Sequence, residues 1–257
     1  MNGPAQEQIS SVTRILGVVP ARLASTRLPR KVLREIAGEP LLVWVVRAAN
    51  ACPQLDEVVV ATDAAEVENL CRARGWRCVM TDPALPSGTD RLHAVSRSLP
   101  ADIYVNIQGD EPLLQPGHIE AILRPFRHPH VDVSTLKVPC SQANLQNPNV
   151  VKVVTARDGR ALYFSRSAIP FVRDHGTPAQ HWKHLGLYAY RKAALERFAG
   201  LPVGELEVIE RLEQLRLLEH GLSLYVEAVE EDTVGVDTEQ DLAEVEQILL
   251  ASKEAQR

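Results

Sequence analysis

A loop rich in cations follows the first apolar segment of the 257-residue chain. Guanidinium forks and an ammonium donate charge-assisted hydrogen bonds to many oxygens at once, which suits a polyphosphate ligand. The loop lacks the GxxxxGK[ST] pattern of a Walker loop, and a plain solvated basic loop is the alternative. Its four cations fall within ten residues and are accompanied by two hydroxyl side chains: Arg22, Ser25, Thr26, Arg27, Arg30 and Lys31.

Two carboxylates follow predicted strands and could hold a metal. Asp110 lies in the segment QGDEP, and Asp237 lies in the segment GVDT. Mg²⁺ prefers one or two protein carboxylates together with phosphate oxygens and water, so these aspartates could hold it against a bound nucleotide. The alternative for Asp110 is a plain turn built from Gly, Asp and Pro. The alternative for Asp237 is a carboxylate favoured by a helix dipole, since Thr238 is a predicted N-cap with Asp241 as its partner.

Three other segments carry polar side chains next to predicted elements. SGTDR opens a predicted helix at Ser87, where exposed backbone N–H groups could hold a ligand; an ordinary helix cap is the alternative. Arg166 follows the strand segment ALYFS, and His184 begins the strand segment HLGLY, which ends at Tyr188. Core packing is the alternative for His184.

A predicted helix over 205–220 separates apolar from acidic positions. Leu206, Ile209, Leu212 and Leu215 form its apolar side, and Glu207, Glu210 and Gln214 share the other side at spacings of three and four. Solvation of that polar side is the alternative. Two like charges three residues apart gain nothing from each other, so a shared partner would account for them better.

The elements that must position these residues alternate in the first half of the chain. Apolar strands are predicted over 15–20, 57–62, 77–81 and 102–108, and helices over 40–50, 66–75 and 89–99, the second with a capping box at Asp63 and Glu66. This alternation predicts a parallel sheet whose ligands bind after the strands' carboxyl ends. Further strands over 131–139, 151–155, 161–165 and 184–191 predict an antiparallel excursion within 130–190. Helices over 192–199 and 238–251 and a strand over 223–229 complete the prediction.

The composition favours a globular protein without a nucleic-acid or membrane partner. A chain that is 45% hydrophobic and 24% charged is an ordinary globule, and we expect a flexible tail over 1–14 and a single domain over 15–257. The net charge of −5 argues against a general nucleic-acid partner. The longest apolar run, PLLVWVV, is far shorter than the roughly 20 residues of a membrane span, and the four cysteines form no CxxC pair. We therefore expect a cytoplasmic protein without a membrane partner.

The motifs taken together resemble one enzyme family. PARLASTRLPRKVL, SGTDRL, VNIQGDEP, NPNVVKVV, ALYFSRSAIP, HLGLYAY, LEQLR and GVDTEQDL are similar, in this order, to segments of the 3-deoxy-manno-octulosonate cytidylyltransferases. The resemblance implies a Rossmann-like nucleotide-diphospho-sugar transferase fold with a mostly parallel sheet and an antiparallel lid or dimerisation excursion. It also implies a homodimer, a Mg²⁺ cofactor, and the reaction of CTP with 3-deoxy-D-manno-octulosonate (Kdo) to give CMP-Kdo and pyrophosphate for lipopolysaccharide biosynthesis.

The resemblance also implies roles for individual residues. Those implied at the CTP phosphates are Arg22, Ser25, Arg27 and Lys31; those at the base and ribose are Ser87, Gly88, Thr89 and Arg91; and those on Mg²⁺ are Asp110 and Asp237. Gln108 would contact the nucleotide or the sugar, and the residues implied around Kdo are Arg166, His184, Tyr188, Glu210 and Gln214. The chain departs from the family pattern at Leu85-Pro86 and at Gly204-Glu205. Another sugar acid, 8-amino-Kdo or sialic acid, and an inactive nucleotide-binding protein are the alternatives.

Overall fold

The computed structural model of the chain describes residues 13–24, 28–174, 176 and 178–255. Short 3₁₀ turns cover Lys31–Leu33 and Arg124–Arg127. The strands of this part are β1 (Ile15–Pro20), β2 (Glu35–Ile36), β3 (Glu39–Pro40), β4 (Glu57–Thr62), β5 (Arg77–Met80), β6 (Ile103–Asn106), β7 (Val133–Pro139), β8 (Lys152–Thr155), β9 (Ala161–Ser165), β10 (Trp182–Arg191) and β11 (Leu224–Ala228). Its helices are α1 (Leu41–Asn50), α2 (Ala65–Arg74), α3 (Gly88–Ser98), α4 (Pro116–Leu123), α5 (Gln142–Leu145), α6 (Lys192–Ala199), α7 (Glu205–Glu210), α8 (Gln214–Glu219) and α9 (Glu239–Ala255).

Four strands form the parallel half of the main sheet, in the order β6-β1-β4-β5. β6 is buried along its whole length and β1 along all but its ends, because helices cover both faces of the sheet. The predicted parallel sheet is confirmed. Its carboxyl ends place the loops after Pro20 and Asn106 side by side.

The other half of the sheet is mixed. β10 lies between β6 and β7 and is antiparallel to both, so β6 and β7 point the same way. β11 extends the sheet in parallel beside β7. β8 and β9 form the predicted hairpin, with Gly159 at φ 89° in its turn. The predicted antiparallel excursion is therefore confirmed for β8, β9 and β10, whereas β7 runs with the parallel strands.

The core has two apolar layers, one on each face of the sheet. One layer packs α1, α2, α4 and α9 against the sheet, and the other packs α3, α6 and α8. The helices thus fix the strand ends from both sides, which holds the loops at the carboxyl edge in place.

The predicted single helix over 205–220 is wrong. Arg211 adopts the left-handed conformation, with φ 52° and ψ 50°, and divides it into α7 and α8. The predicted separation of faces fails with it, since the side chain of Ile209 on the apolar side is 68% exposed and Gln214 on the polar side is buried. Glu207 pairs with Arg216, with two contacts of 2.5 and 2.6 Å.

The predicted capping box at Asp63 and Glu66 is also wrong. Helix α2 begins at Ala65 with Ala64 as its N-cap and no side-chain cap. Asp63 instead accepts a hydrogen bond from Arg91 at 2.6 Å. The box predicted at Thr238 and Asp241 is confirmed, because each side chain accepts a hydrogen bond from the other residue's backbone N–H.

The ends of the described region are tied to the sheet and the core. Residues 1–12 of the predicted tail lie outside the described residues, and the backbone N–H of Arg14 donates to Oδ2 of Asp102 at 2.7 Å. At the other end, α9 is the longest helix of the described part, at 17 residues, and carries many charged side chains. Among the described residues, we find no helix with the length and apolar character needed to cross a bilayer.

Candidate active site

A cavity of about 350 Å³ opens at the carboxyl edge of the parallel strands. Loops after β1 and β6, the start of α3 and the segment before α9 meet there, as the sequence predicts for a parallel sheet. Its lining brings together seven of the residues predicted for nucleotide or metal: Arg22, Lys31, Gly88, Arg91, Gln108, Asp110 and Asp237. Pro20, Ala24, Val32 and Gly109 complete it.

Lys31 joins two carboxylates that are far apart in sequence. Its Nζ lies 2.5 Å from Oδ2 of Asp110 and 2.8 Å from Oδ1 of Asp237. The lysine side chain is 12% exposed. Burial alone would lower the pKa of Lys31, but the two carboxylates outweigh it and raise that pKa. The lysine is therefore charged at neutral pH, and the three side chains form one ionic cluster.

Arg22 lines the same cavity. Its Nη1 donates to the carbonyl oxygens of Pro86 at 3.2 Å and Leu85 at 3.5 Å. These are the positions where the sequence departs from the family pattern, so backbone atoms rather than side chains meet Arg22 there. Ser25 and Arg27, also predicted for the phosphates, lie outside the described residues.

The start of α3 is built as a helix cap. Ser87 Oγ accepts from the N–H of Asp90 at 3.1 Å, and the Asp90 carboxylate accepts from the Ser87 hydroxyl at 2.7 Å. This is the alternative that the sequence left open for SGTDR. Thr89 donates its hydroxyl to Glu213 at 2.5 Å. Gly88 lines the cavity directly, so this loop approaches a ligand through its backbone.

Arg91 is completely buried and lines the cavity. Its guanidinium donates to Asp63 and to the hydroxyl of Thr81. The carboxylate neutralises a cation that could not stand alone in the interior. Arg91, which is predicted to bind the nucleotide, therefore lines the cavity and is also hydrogen-bonded to the residues that directly follow β4 and β5.

Apart from Gln108, the residues predicted around the sugar lie outside the lining of this cavity. Arg166 donates through Nε to the carbonyl of Glu210 at 2.7 Å and through Nη1 to that of Pro148 at 2.8 Å. The Glu210 carboxylate in turn accepts from the Ser165 hydroxyl at 2.6 Å and from the backbone N–H of Arg166 at 3.0 Å. These side chains bind one another, and their roles toward the sugar stay predictions.

His184 and Tyr188 lie on β10, whose pairing with β7 shifts register between Leu185 and Tyr188. His184 Nε2 is 3.0 Å from Oγ1 of Thr135, and its ring meets the ring of Tyr188 at 5.4 Å. Burial lowers the pKa of His184 to about 3, which makes its neutral imidazole a poor proton acceptor. Burial also raises the pKa of the Tyr188 phenol well above its usual value, so both side chains are neutral.

Two contacts join the cavity to the region predicted to bind the sugar. Gln108, after β6, donates from Nε2 to the carbonyl of Gly186 at 3.4 Å. Thr89, at the start of α3, reaches Glu213, which directly precedes the buried Gln214. The loops predicted to bind the nucleotide are therefore hydrogen-bonded to β10 and to the residue before α8, the elements that carry predicted sugar residues.

Sequence reasoning missed three residues near the site. Asn106 ends β6 buried beside Gly88, and among the described residues its Oδ1 has no hydrogen-bond partner; an Asn inside the apolar segment IYVNI was the available signal. Burial raises the pKa of the Glu213 carboxyl, although the hydrogen bond from Thr89 lowers it in part. Burial and the charge of Asp110 raise the pKa of Glu111 to about 7. Both glutamates sit inside recognised motifs, where only burial distinguishes them.

The paired aspartates fit a divalent cation. Oxygens of Asp110 and Asp237 converge on one point, since both lie within 2.8 Å of the same nitrogen atom. In the described part of the chain, no three His, Cys, Asp or Glu side chains are grouped closely enough to hold a metal by themselves. Two carboxylates are a donor set that Mg²⁺ takes when substrate phosphates and water complete its shell.

Comparison with known proteins agrees with this geometry. An open parallel sheet with cations and paired carboxylates after its strands is typical of nucleotide-binding α/β proteins, and a family model described as cytidylyltransferase matches residues 16–230. The 3-deoxy-manno-octulosonate cytidylyltransferase of Acidobacterium capsulatum is 60% identical over 95% of this chain and 99% of its own. That of Koribacter versatilis is 51% identical over 96% of this chain and 94% of its own. The chain belongs to the family of 3-deoxy-manno-octulosonate cytidylyltransferases.

Solved structures give the same result for the fold. A CMP:2-keto-3-deoxy-manno-octonic acid synthetase complexed with CTP superposes with a TM-score of 0.90 at 40% identity, covering 93% of this chain and all of its own. A cytidylyltransferase from Leptospira borgpetersenii superposes with a TM-score of 0.62 at 14% identity, covering 91% of this chain and 85% of its own. The second likeness concerns the fold alone.

Proposed function

We propose that the protein is a cytidylyltransferase that activates Kdo with CTP, giving CMP-Kdo and pyrophosphate for lipopolysaccharide biosynthesis. The observation that carries the proposal is the 60% identity, over nearly the full length of both chains, to a relative of that name. The cavity supports it, because Arg22, Lys31, Asp110 and Asp237 meet there.

The reaction needs charge neutralisation and alignment more than covalent help. The anomeric hydroxyl of the sugar acid attacks the α-phosphorus of CTP; a new O–P bond forms, the bond to pyrophosphate breaks, and the proton of the hydroxyl is released to solvent. Arg22 and Lys31 would hold the phosphates within the cavity. Arg91, with Asp63 and Thr81, would support the nucleotide from the cavity lining.

Mg²⁺ is part of this proposal, held by Asp110 and Asp237. Bound there, it would neutralise phosphate charge and orient the reacting groups. The two aspartates are held by the fold: the carbonyl of Asp110 accepts from the N–H of Val236 at 2.9 Å, so the two loops are hydrogen-bonded directly beside the carboxylates. Their approach does not depend on a metal.

The sugar side is proposed to select a hydroxylated acid. Polar side chains line up there on β9, β10, α7 and α8, in a region where an unpaired donor or acceptor would weaken binding strongly. His184 is neutral and so is suited to a hydroxyl rather than a carboxylate. The departure at Gly204 lies at this edge, where the Glu219 carboxylate fills the space of a side chain on residue 204.

The test is a pyrophosphate-release assay with purified protein, CTP, Mg²⁺ and a series of sugar acids. We expect turnover with Kdo, and weaker turnover with 8-amino-Kdo and with sialic acid. The Asp110→Asn variant serves as the inactive control. Equal turnover with sialic acid would refute the proposed acceptor, and no CTP-dependent turnover with any acid would refute the activity.

We further propose that the protein works as a homodimer. Large apolar side chains stay exposed on two adjacent elements: Leu162 on β9 is 52% exposed, and Ile209 on α7 is 68% exposed. The two elements meet where Ser165 binds Glu210. Sedimentation equilibrium should give twice the chain mass for the wild type and a monomer for Ile209→Glu; a monomeric wild type would contradict the proposal.

The cytoplasm is the proposed location, because the proposed donor substrate CTP is a cytoplasmic nucleotide. The free thiols of Cys52 and Cys71 are buried in the core, in keeping with a reducing compartment. Fractionation of cells that express the protein should place it with cytoplasmic enzymes, and recovery from the periplasm would contradict the proposal.

A further inference from the structure

We propose that Lys31 is an internal counter-cation that keeps divalent metal ions off the Asp110–Asp237 pair until a nucleotide is bound. The inference rests on the proposed function and concerns the control of that same site. The inference is based on the position of the Lys31 ammonium. Its Nζ lies between the two carboxylates, 2.5 Å from Oδ2 of Asp110 and 2.8 Å from Oδ1 of Asp237.

The Lys31 ammonium and a divalent metal ion would compete for the same carboxylate oxygens. Lys31 places one positive charge directly between the two carboxylates, at the point where their oxygens converge. A divalent ion must approach the same carboxylate oxygens that the ammonium already binds, and the two cations repel each other at close range. The side chain of Lys31 is 12% exposed, against 30% for Asp110 and 42% for Asp237, so water screens the ammonium less than it screens the carboxylates.

Nucleotide binding relieves the competition. Lys31 begins a short 3₁₀ turn, which fixes its backbone, while its flexible four-carbon stem lets the ammonium move. The polyphosphate carries several negative charges into the cavity that Lys31 lines, and the ammonium can exchange carboxylate for phosphate oxygens. The aspartates then become available when the phosphates that must share the metal are also present.

The consequence is a coupling between the two ligands. A nucleotide that withdraws Lys31 tightens metal binding, and by linkage the metal tightens nucleotide binding by the same factor. A lysine that served only to bind phosphate would give a different result, since its removal would weaken nucleotide binding and leave metal binding alone.

The experiment measures Mn²⁺ affinity without nucleotide, by calorimetry and by the EPR signal of free Mn²⁺, on the full-length protein. Lys31→Met should bind Mn²⁺ about tenfold or more tightly than wild type, because charge-assisted contacts of this kind are strong, yet bind CTP more weakly. Lys31→Arg keeps the positive charge and should stay within about threefold of wild type for Mn²⁺.

Arg22→Met is the matched control. It removes a cation from the same cavity, but Arg22 binds the carbonyls of Leu85 and Pro86 rather than the aspartates. If only the general field of the cavity matters, Arg22→Met and Lys31→Met will gain Mn²⁺ affinity equally. A gain confined to Lys31→Met supports displacement of the ammonium, and an equal gain in both variants overturns it.

Stability is followed in parallel, because removal of the ammonium leaves the two carboxylates close together without the cation between them. Thermal unfolding should show that Mn²⁺ raises the midpoint of Lys31→Met more than that of wild type. Adding Asp110→Asn to Lys31→Met should abolish the gain in affinity; if the gain persists, the metal binds elsewhere and the proposal fails.

Failure of this inference is separable from failure of the proposed function. Unchanged or weaker Mn²⁺ binding in Lys31→Met, beside a wild type that releases pyrophosphate from CTP and Kdo, overturns the counter-cation alone. A wild type without that turnover overturns the function, whatever the metal affinities are.

Discussion

Gly109 lies where two backbones come closer than any side chain allows. A β-carbon placed on Gly109 would be 2.5 Å from the carbonyl oxygen of Pro20 and 3.6 Å from Cγ1 of Val19. The obstacle is main chain at the end of β1, which is held by its pairing with β6 and with β4. Gly109→Ala must therefore push apart the loops that carry Arg22 and Asp110.

The size of the effect follows from this contact. Carbon and oxygen without a bond between them need more than 3 Å, so the loop after β6 has to shift by about half an ångström or more. Overpacking of this kind costs about 1–3 kcal/mol of stability. A displacement approaching 1 Å at a reacting group lowers the rate by about 10²-fold. We therefore expect kcat/KM for CTP to fall by up to about a hundredfold, beyond what the loss of folded protein explains.

The assays are urea unfolding and pyrophosphate release, with Gly117→Ala as the matched control. Gly117 lies in the first turn of α4 and has no atom near its missing side chain. Its replacement should change the free energy of unfolding by less than about 0.5 kcal/mol and leave turnover intact. Wild-type stability and turnover in Gly109→Ala would refute the reasoning.

Three further predictions concern charge. Asp110→Asn and Asp237→Asn should each lower kcat by about 10²-fold or more with the fold retained, measured by pyrophosphate release and circular dichroism; near-normal Mg²⁺-dependent rates would contradict the metal site. Arg166→Lys cannot reproduce the contacts of the guanidinium, and should raise the KM for Kdo about tenfold while the Kd for CTP stays nearly unchanged; equal losses for both substrates would assign Arg166 to the fold. The pKa of His184 is about 3 in the folded protein and about 6.5 in the unfolded chain, so between these pH values the unfolded chain binds one proton more. The free energy of unfolding should therefore fall on acidification from pH 6.5, by up to about 1.4 kcal/mol per pH unit. His184→Gln should remove this pH dependence, and an unchanged pH dependence in that variant would contradict the prediction.

The place of the cavity was predictable from the sequence because ligands of parallel sheets bind beyond the carboxyl ends of the strands. Once β1 and β6 are recognised as buried parallel strands, the loops that follow them must meet at one edge. Lys31 and Asp110 are 79 residues apart, yet their contact follows from this rule and from opposite charge. The sequence did not indicate that the lysine would also bind Asp237, since Asp237 had an adequate local explanation at the start of α9.

The break at Arg211 shows what local pattern misses. The apolar spacing over 205–220 is helical, and no proline or glycine interrupts it before Gly221. The left-handed conformation of a non-glycine residue is unfavourable locally, so contacts outside the segment must stabilise it. The Glu210 carboxylate binds Ser165 and Arg166, and Arg166 also donates to the carbonyls of residues 210 and 211. A periodicity confined to one segment carries no information about these partners.

The residues predicted to bind the nucleotide were easier to find from the sequence than those predicted to bind the sugar. On the nucleotide side, charges of both signs converge on a cavity that is open to a ligand, so residue type and loop position suffice. On the predicted sugar side, Arg166 and Glu210 bind each other, and residue type alone cannot separate such an internal partner from a substrate contact. The link from Gln108 to Gly186 and that from Thr89 to Glu213 cross between the two sides. Because the loops predicted to bind CTP donate both of these bonds, we expect them to position the predicted sugar side. We also expect selection of the acceptor to depend on a network that no single motif contains.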